Sequence, residues 1–160
     1  MAENILIAYY SWANSTKKIA EEVSKITGGT LFEIAPAVAY TTDYDEVVEQ
    51  AKKEIDAGVQ PELAADLDIA AYDAIFIGTP NWWSTMAPPV ATFLTGKDFT
   101  GKTVVPFCSH GGAGWSRIRE DIAALCQGSN SAEGFSVYNG GGSDMPRQVE
   151  KWLNEIGYVK

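Results

Sequence analysis

Three stretches of this chain, Ile5–Tyr10 (ILIAYY), Asp73–Gly78 (DAIFIG) and Lys102–Cys108 (KTVVPFC), are apolar through most of their length. A strand with one wet face alternates apolar and polar residues. A short run apolar throughout reads as a strand covered on both faces. Helical spacing follows the runs. Ile19, Val23 and Ile26 mark a helix over Thr16–Ile26, stopped by Gly28-Gly29 before a second strand, Thr30–Ala35. Such β-α alternation predicts an α/β fold, a parallel sheet with helices on both faces, and ligands in these sheets bind outside the carboxyl ends of the strands.

The remaining elements follow the same grammar. Asp43 and Glu46 form a capping-box pattern, and Tyr44, Val47, Val48, Ala51 and Ile55 give the helix behind it an apolar stripe ended by Gly58. A looser stretch, Val59–Ala71, leads to the strand Asp73–Gly78. Pro88-Pro89 opens a short helix. Ile118, Ile122 and Leu125 mark another, Phe135–Tyr138 a weaker fifth strand, and Val149, Trp152, Leu153 and Ile156 a last helix closed by Gly157.

At 160 residues and 46% apolar, one core and a single domain over 1–160 are expected. The run Ile5–Tyr10 has no basic residues before it and is too short for a signal or membrane segment. Cys108 and Cys126 lack metal-ligand spacing, so two reduced thiols and a cytoplasmic location are expected. Residues 1–80 hold 14 Asp/Glu against 5 Lys/Arg, and residues 81–160 hold 7 against 7. That balance disfavours nucleic acid, which needs a basic patch, and suits either a solvated acidic face or a surface that steers basic partners.

Three loops fall on one sheet edge. SWANST, Ser11–Thr16, supplies hydroxyl and amide groups at Ser11, Asn14, Ser15 and Thr16, where a helix N-terminus offers free N–H groups to an anion such as phosphate. A single N-cap at Asn14 or Ser15 would account for one of them. GTPNWWSTMAPP, Gly78–Pro89, carries Trp82 and Trp83, which can stack on a planar ligand or cover the sheet end. CSHGGAGWS, Cys108–Ser116, has Gly111, Gly112 and Gly114, which let backbone approach a ligand, and His110, the chain's one histidine.

These motifs resemble the flavodoxin family along nearly the whole chain. SWANST aligns without a gap to the family's Ser/Thr-x-Thr-Gly-Asn-Thr loop. Pro80-Asn81-Trp82-Trp83 matches a P-x-W-W loop and Ser109-His110-Gly111-Gly112 an S-x-G-G loop. The resemblance implies a three-layer flavodoxin-like fold with a five-stranded sheet in the order 2-1-3-4-5, and FMN as cofactor. It implies that Ser11, Ala13, Asn14, Ser15 and Thr16 form the phosphate loop, with Ala13 contributing no hydroxyl and Asn14 standing where Gly is usual. Thr79, Pro80, Asn81, Trp82 and Trp83 would border the isoalloxazine, Ser109, His110, Gly111 and Gly112 its pyrimidine edge, and Trp115 would be a second stacking aromatic. Gly112 occupies a place where many electron-carrier flavodoxins have an acid.

Carboxylates for a receiver domain are missing at YYS and GTP, no GxxxxGK[ST] run exists, and His110-Gly111-Gly112 lacks the GxSxG elbow and second His of an esterase. The expected function is electron transfer through bound FMN between protein partners, with the acidic helix Asp43–Asp56 as docking surface. The alternative is an FMN-dependent oxidoreductase that takes hydride from NAD(P)H and reduces a quinone. A non-redox binding module is a third reading. Tyr9, Tyr10 and His110 are conceivable proton donors, and the Trp pair allows a homodimer.

Overall fold

Alternate residues of the first strand, β1 (Ile5–Tyr9), go to opposite faces of the sheet, and both faces are dry. In the computed structural model, which describes residues 4–12, 14–139 and 141–158, Leu6 and Ala8 enter one core cluster and Ile7 and Tyr9 the other. α1 (Ser15–Thr27) and α5 (Met145–Ile156) cover the second face through Ile19, Val23, Val149 and Leu153. α2 (Tyr44–Ala57), α3 (Pro88–Leu94) and α4 (Ile118–Leu125) supply Val47, Val90, Phe93, Ile118 and Ile122 to the first. The fold is therefore the three-layer α/β arrangement expected. No helix among the described residues is long and apolar enough to cross a membrane.

β2 (Thr30–Glu33), β1, β3 (Ala74–Trp82) and β5 (Thr103–His110) lie side by side and parallel. The fifth position is shared by two short segments, β6 (Asn130–Ser131) and β7 (Phe135–Tyr138), both parallel to β5. The order is thus 2-1-3-4-5 by position, with seven strands once β4 (Thr85–Met86), a hairpin partner of β3, is counted. The split has a chemical cause. The Val104 carbonyl accepts from Ala132 N–H at 3.1 Å, so Val104 faces the β6 side. Pro106, two residues on, faces the same way and has no N–H to donate. The interruption between β6 and β7 falls opposite it.

An element boundary and a side-chain placement differ from the sequence reading. β3 runs on to Trp82 where Gly78 was expected to end it, so half of the second loop is strand. In α2, Val47 and Ala51 are buried, but Tyr44 is 68% exposed. Its capping box closes indirectly: Asp43 Oδ1 accepts from Glu46 N–H at 3.1 Å, while Glu46 Oε2 accepts from the Thr41 hydroxyl, which in turn accepts from Asp43 N–H.

Candidate functional site

The first turn of α1 is not capped from its own N-cap residue. Asn14 holds that position in the left-handed region at φ 69° and its side chain makes no cap bond. The cap comes from Ser11, whose hydroxyl accepts from Lys17 N–H at 3.1 Å. Among the described residues, none accepts from the N–H groups of Ser15 or Thr16. A helix start with open N–H groups is a ready anion site. The Thr16 hydroxyl is buried beneath it, 2.9 Å from the Ser109 hydroxyl, and ties this loop to the end of β5. Ala13 lies outside the described residues.

The Trp pair sits on a hairpin. Trp82 pairs with Thr85, leaving Trp83 and Ser84 as a two-residue turn, both with positive φ, 54° and 72°. Such turns match the twist of the strands but ordinarily use Asn or Gly. Here Asn81 holds the turn: its Oδ1 accepts from Ser84 N–H at 3.0 Å, and its Nδ2 donates to Gly114 O at 2.8 Å and to Ser116 Oγ at 3.2 Å. Arg117 N–H adds a bond to Ser84 O at 2.9 Å. Trp82 turns back onto Tyr10 and Tyr40, edge to face, with centroids 5.5 and 5.2 Å away. Trp83 reaches α2, where its Nε1–H donates to Val48 O at 2.9 Å, and stays 46% exposed.

In the glycine loop, His110 Nδ1 accepts from Gly112 N–H at 3.0 Å, so the neutral imidazole carries its proton on Nε2. Gly112 has φ 128°, a backbone state that side chains resist, and a Cβ at Gly111 would meet nothing within 4 Å. The wall is backbone facing open space.

These elements enclose a cleft of about 420 Å³, of the size usual for small-molecule sites. Ser15, Pro80, Asn81, Trp82, Trp83, Ser109, His110 and Gly111 line it together. Others of the expected residues do not. The Thr79 hydroxyl is fully buried, accepting from Ala87 N–H at 2.9 Å and donating to Pro80 O at 2.8 Å, so it fastens β3 to α3. Trp115 does not line the cleft; it packs over Gly134 and under the Arg119 guanidinium. Tyr9 and Tyr10 are buried in the sheet. Burial, with Glu33 and Glu21 nearby, pushes Tyr9 up to about 12, and burial likewise raises Tyr10, so both keep their protons at neutral pH. Burial also pushes the thiols of Cys108 and Cys126 up to about 12, which makes them inert.

Six lining residues were not among the expected site residues: Trp12, Tyr44, Val47, Val48, Ala51 and Asn139. Trp12 Nε1–H donates to Thr41 O at 2.9 Å and its ring lies 6.2 Å from that of Tyr44. Trp12 was visible inside SWANST as the one large apolar residue in a polar loop. Tyr44 and Val48 looked like core because their spacing is helical.

The family model for flavodoxin matches residues 4–156. A flavoprotein structure from Bacteroides eggerthii is 31% identical, with TM-score 0.84 and 99% of each chain covered. One from Bacteroides uniformis is 30% identical, with TM-score 0.84, covering 96% of this chain and 99% of that one. A flavoprotein from Lactobacillus acidophilus, solved in complex with FMN, is 26% identical with TM-score 0.73, covering 94% of this chain and 99% of its own. No curated protein matches. The chain belongs to the flavodoxin family.

Proposed function

We propose that the cleft holds FMN and that the protein transfers electrons through it. The observation that carries this is the opening of an anion cradle onto an aromatic-walled cleft: Ser15 lines the cleft while, among the described residues, nothing accepts from the Ser15 and Thr16 N–H groups at the start of α1. The side chains of Asn14 and Ser15 and these N–H groups would hold the phosphate without a cation. Pro80, Trp82 and Trp83 would border the ring system, with Gly111 giving it backbone access. Asn81, which spends both ends of its amide on Ser84, Gly114 and Ser116, positions that wall. Bound FMN supplies the one- and two-electron chemistry. The match to a flavoprotein crystallised with FMN supports this reading.

The exposed acids of α2, among them Asp45, Glu46, Glu49 and Asp56, give a surface for a basic protein partner. A hydride-transfer enzyme using NAD(P)H is the competing reading, and the openness of the Trp83 wall favours it. Among the described residues no Lys or Arg lines the cleft to hold a dinucleotide's phosphates. Mixing the FMN-loaded protein with NADH or NADPH in the presence of a quinone separates the two. The expected result is oxidation no faster than free FMN supports; turnover well above that rate would make the protein an oxidoreductase.

A further inference from the structure

A second cleft, of about 500 Å³, opens beside the first and shares His110 and Asn139 with it. It lies where β7 runs out toward α5, between Tyr138 and Gln148. We infer that this annex binds a neutral aromatic ring bearing carbonyl acceptors, a quinone-like molecule, against the shared His110 wall.

Among the described residues, no charged side chain lines the annex. At the start of α5, Asp144 and Arg147 neutralise each other through two hydrogen bonds of 2.7 and 3.0 Å, and further along the helix neither Glu150 nor Lys151 lines the annex. An anion would therefore enter without a cation to meet it, in a chain of net charge −9. A neutral ligand has no such cost.

The annex also has a flat apolar surface and donors. Tyr138 is 60% exposed and stands edge-on to His110 with centroids 6.2 Å apart. It can close over a planar ligand. Because Nδ1 of His110 is engaged by Gly112 N–H, its Nε2–H is the end left to donate, and Ser136 offers a hydroxyl. The Gln148 amide nitrogen is engaged with Asp144 Oδ2 at 3.2 Å. Donors are thus in surplus on the His110 side, which suits a carbonyl oxygen. A Cβ at Gly142 would meet nothing within 4 Å, so that side stays open for entry. That the ligand would also accept electrons rests on the FMN reading; its binding does not.

The test is a titration of the protein, as purified, with tetramethyl-1,4-benzoquinone, followed through the NMR signals of the His110 side chain and the Tyr138 amide. FMN affinity is measured separately on every variant. Saturable shifts are expected for the wild type and for Tyr138→Phe, and affinity about fivefold or more weaker for Tyr138→Ala, roughly the worth of one aromatic contact. FMN affinity should stay within about twofold in both variants. The anionic 1,4-naphthoquinone-2-sulfonate should bind more weakly than the neutral probe. The inference is overturned if Tyr138→Ala binds the neutral quinone as well as the wild type, if the quinone displaces FMN instead of binding beside it, or if the sulfonate binds as tightly. Should FMN fail to bind at all, the quinone titration still reads the annex, so the two failures are told apart.

Discussion

Gly78→Ala is expected to lower the stability of the fold by about 1–3 kcal/mol, the usual cost of forcing a methyl into a packed core. That is a large share of the roughly 5–15 kcal/mol a domain has in total. A Cβ at Gly78 would sit 2.3 Å from Phe107 Cζ, 2.4 Å from Phe107 Cε2 and 3.0 Å from Tyr9 Cβ. Gly78 pairs with Tyr9 on one side and Phe107 on the other, and the Phe107 ring lies over the space its missing side chain leaves. The ring has nowhere to go, being fully buried beside Trp152. Urea unfolding should show a lower midpoint with an unchanged slope. Gly111→Ala is the control, since no atom lies within 4 Å of where its methyl would sit and its φ is not positive, and it should stay within about 0.5 kcal/mol of wild type. Adding Phe107→Leu to Gly78→Ala should recover part of the loss, because the two residues share one space. Equal midpoints for the two glycine variants would contradict this account of the strand.

Asn81→Ala is expected to loosen the Trp hairpin and weaken FMN binding by about 10–100-fold. The substitution removes three hydrogen bonds, each worth about 1 kcal/mol net. They hold two non-glycine residues at positive φ, a state that costs on the order of 1 kcal/mol or more each and persists only while its surroundings enforce it. The backbone N–H of Ser84 should exchange with solvent faster, and the near-ultraviolet signal of the Trp residues should fall. Replacing Trp83-Ser84 by Asn-Gly in the same background lets the turn close without help. Slow exchange at residue 84 should return, while FMN affinity stays low for want of Trp83 and of the tie to Gly114. An Asn81→Ala protein with unchanged exchange and unchanged affinity would show that the clamp does nothing.

What the sequence disclosed and what it hid divide along physical lines. Burial on both faces forces a composition, so the runs around Leu6, Ile75 and Val105 announced the parallel sheet. Gly28, Gly58 and Gly157 announced helix ends, and all three take the left-handed state there. Hairpins announce themselves only when the turn residues are the usual ones. Trp83-Ser84 is an unusual turn held by a side chain two residues before it, so the extension of β3 and the strand β4 were not legible. Side-chain destinations were legible where chemistry leaves one choice and not otherwise. Tyr44, Val47 and Val48 share one helical stripe, yet Val47 is buried while Tyr44 stands out over Trp12. Thr79 precedes cleft residues on β3, but its hydroxyl is spent on Ala87 N–H and Pro80 O, and Trp115, four residues beyond Gly111, packs over Gly134 instead.

The central claim is that the first cleft binds FMN by its phosphate as well as its ring. Titrating flavin-free protein with FMN and with riboflavin, and following quenching of flavin fluorescence, tests it most directly. The account predicts saturation at about one FMN per chain, with riboflavin at least about tenfold weaker, since it lacks the anion that the open N–H groups of Ser15 and Thr16 would hold. Riboflavin binding as tightly as FMN, or no quenching by either, would contradict it.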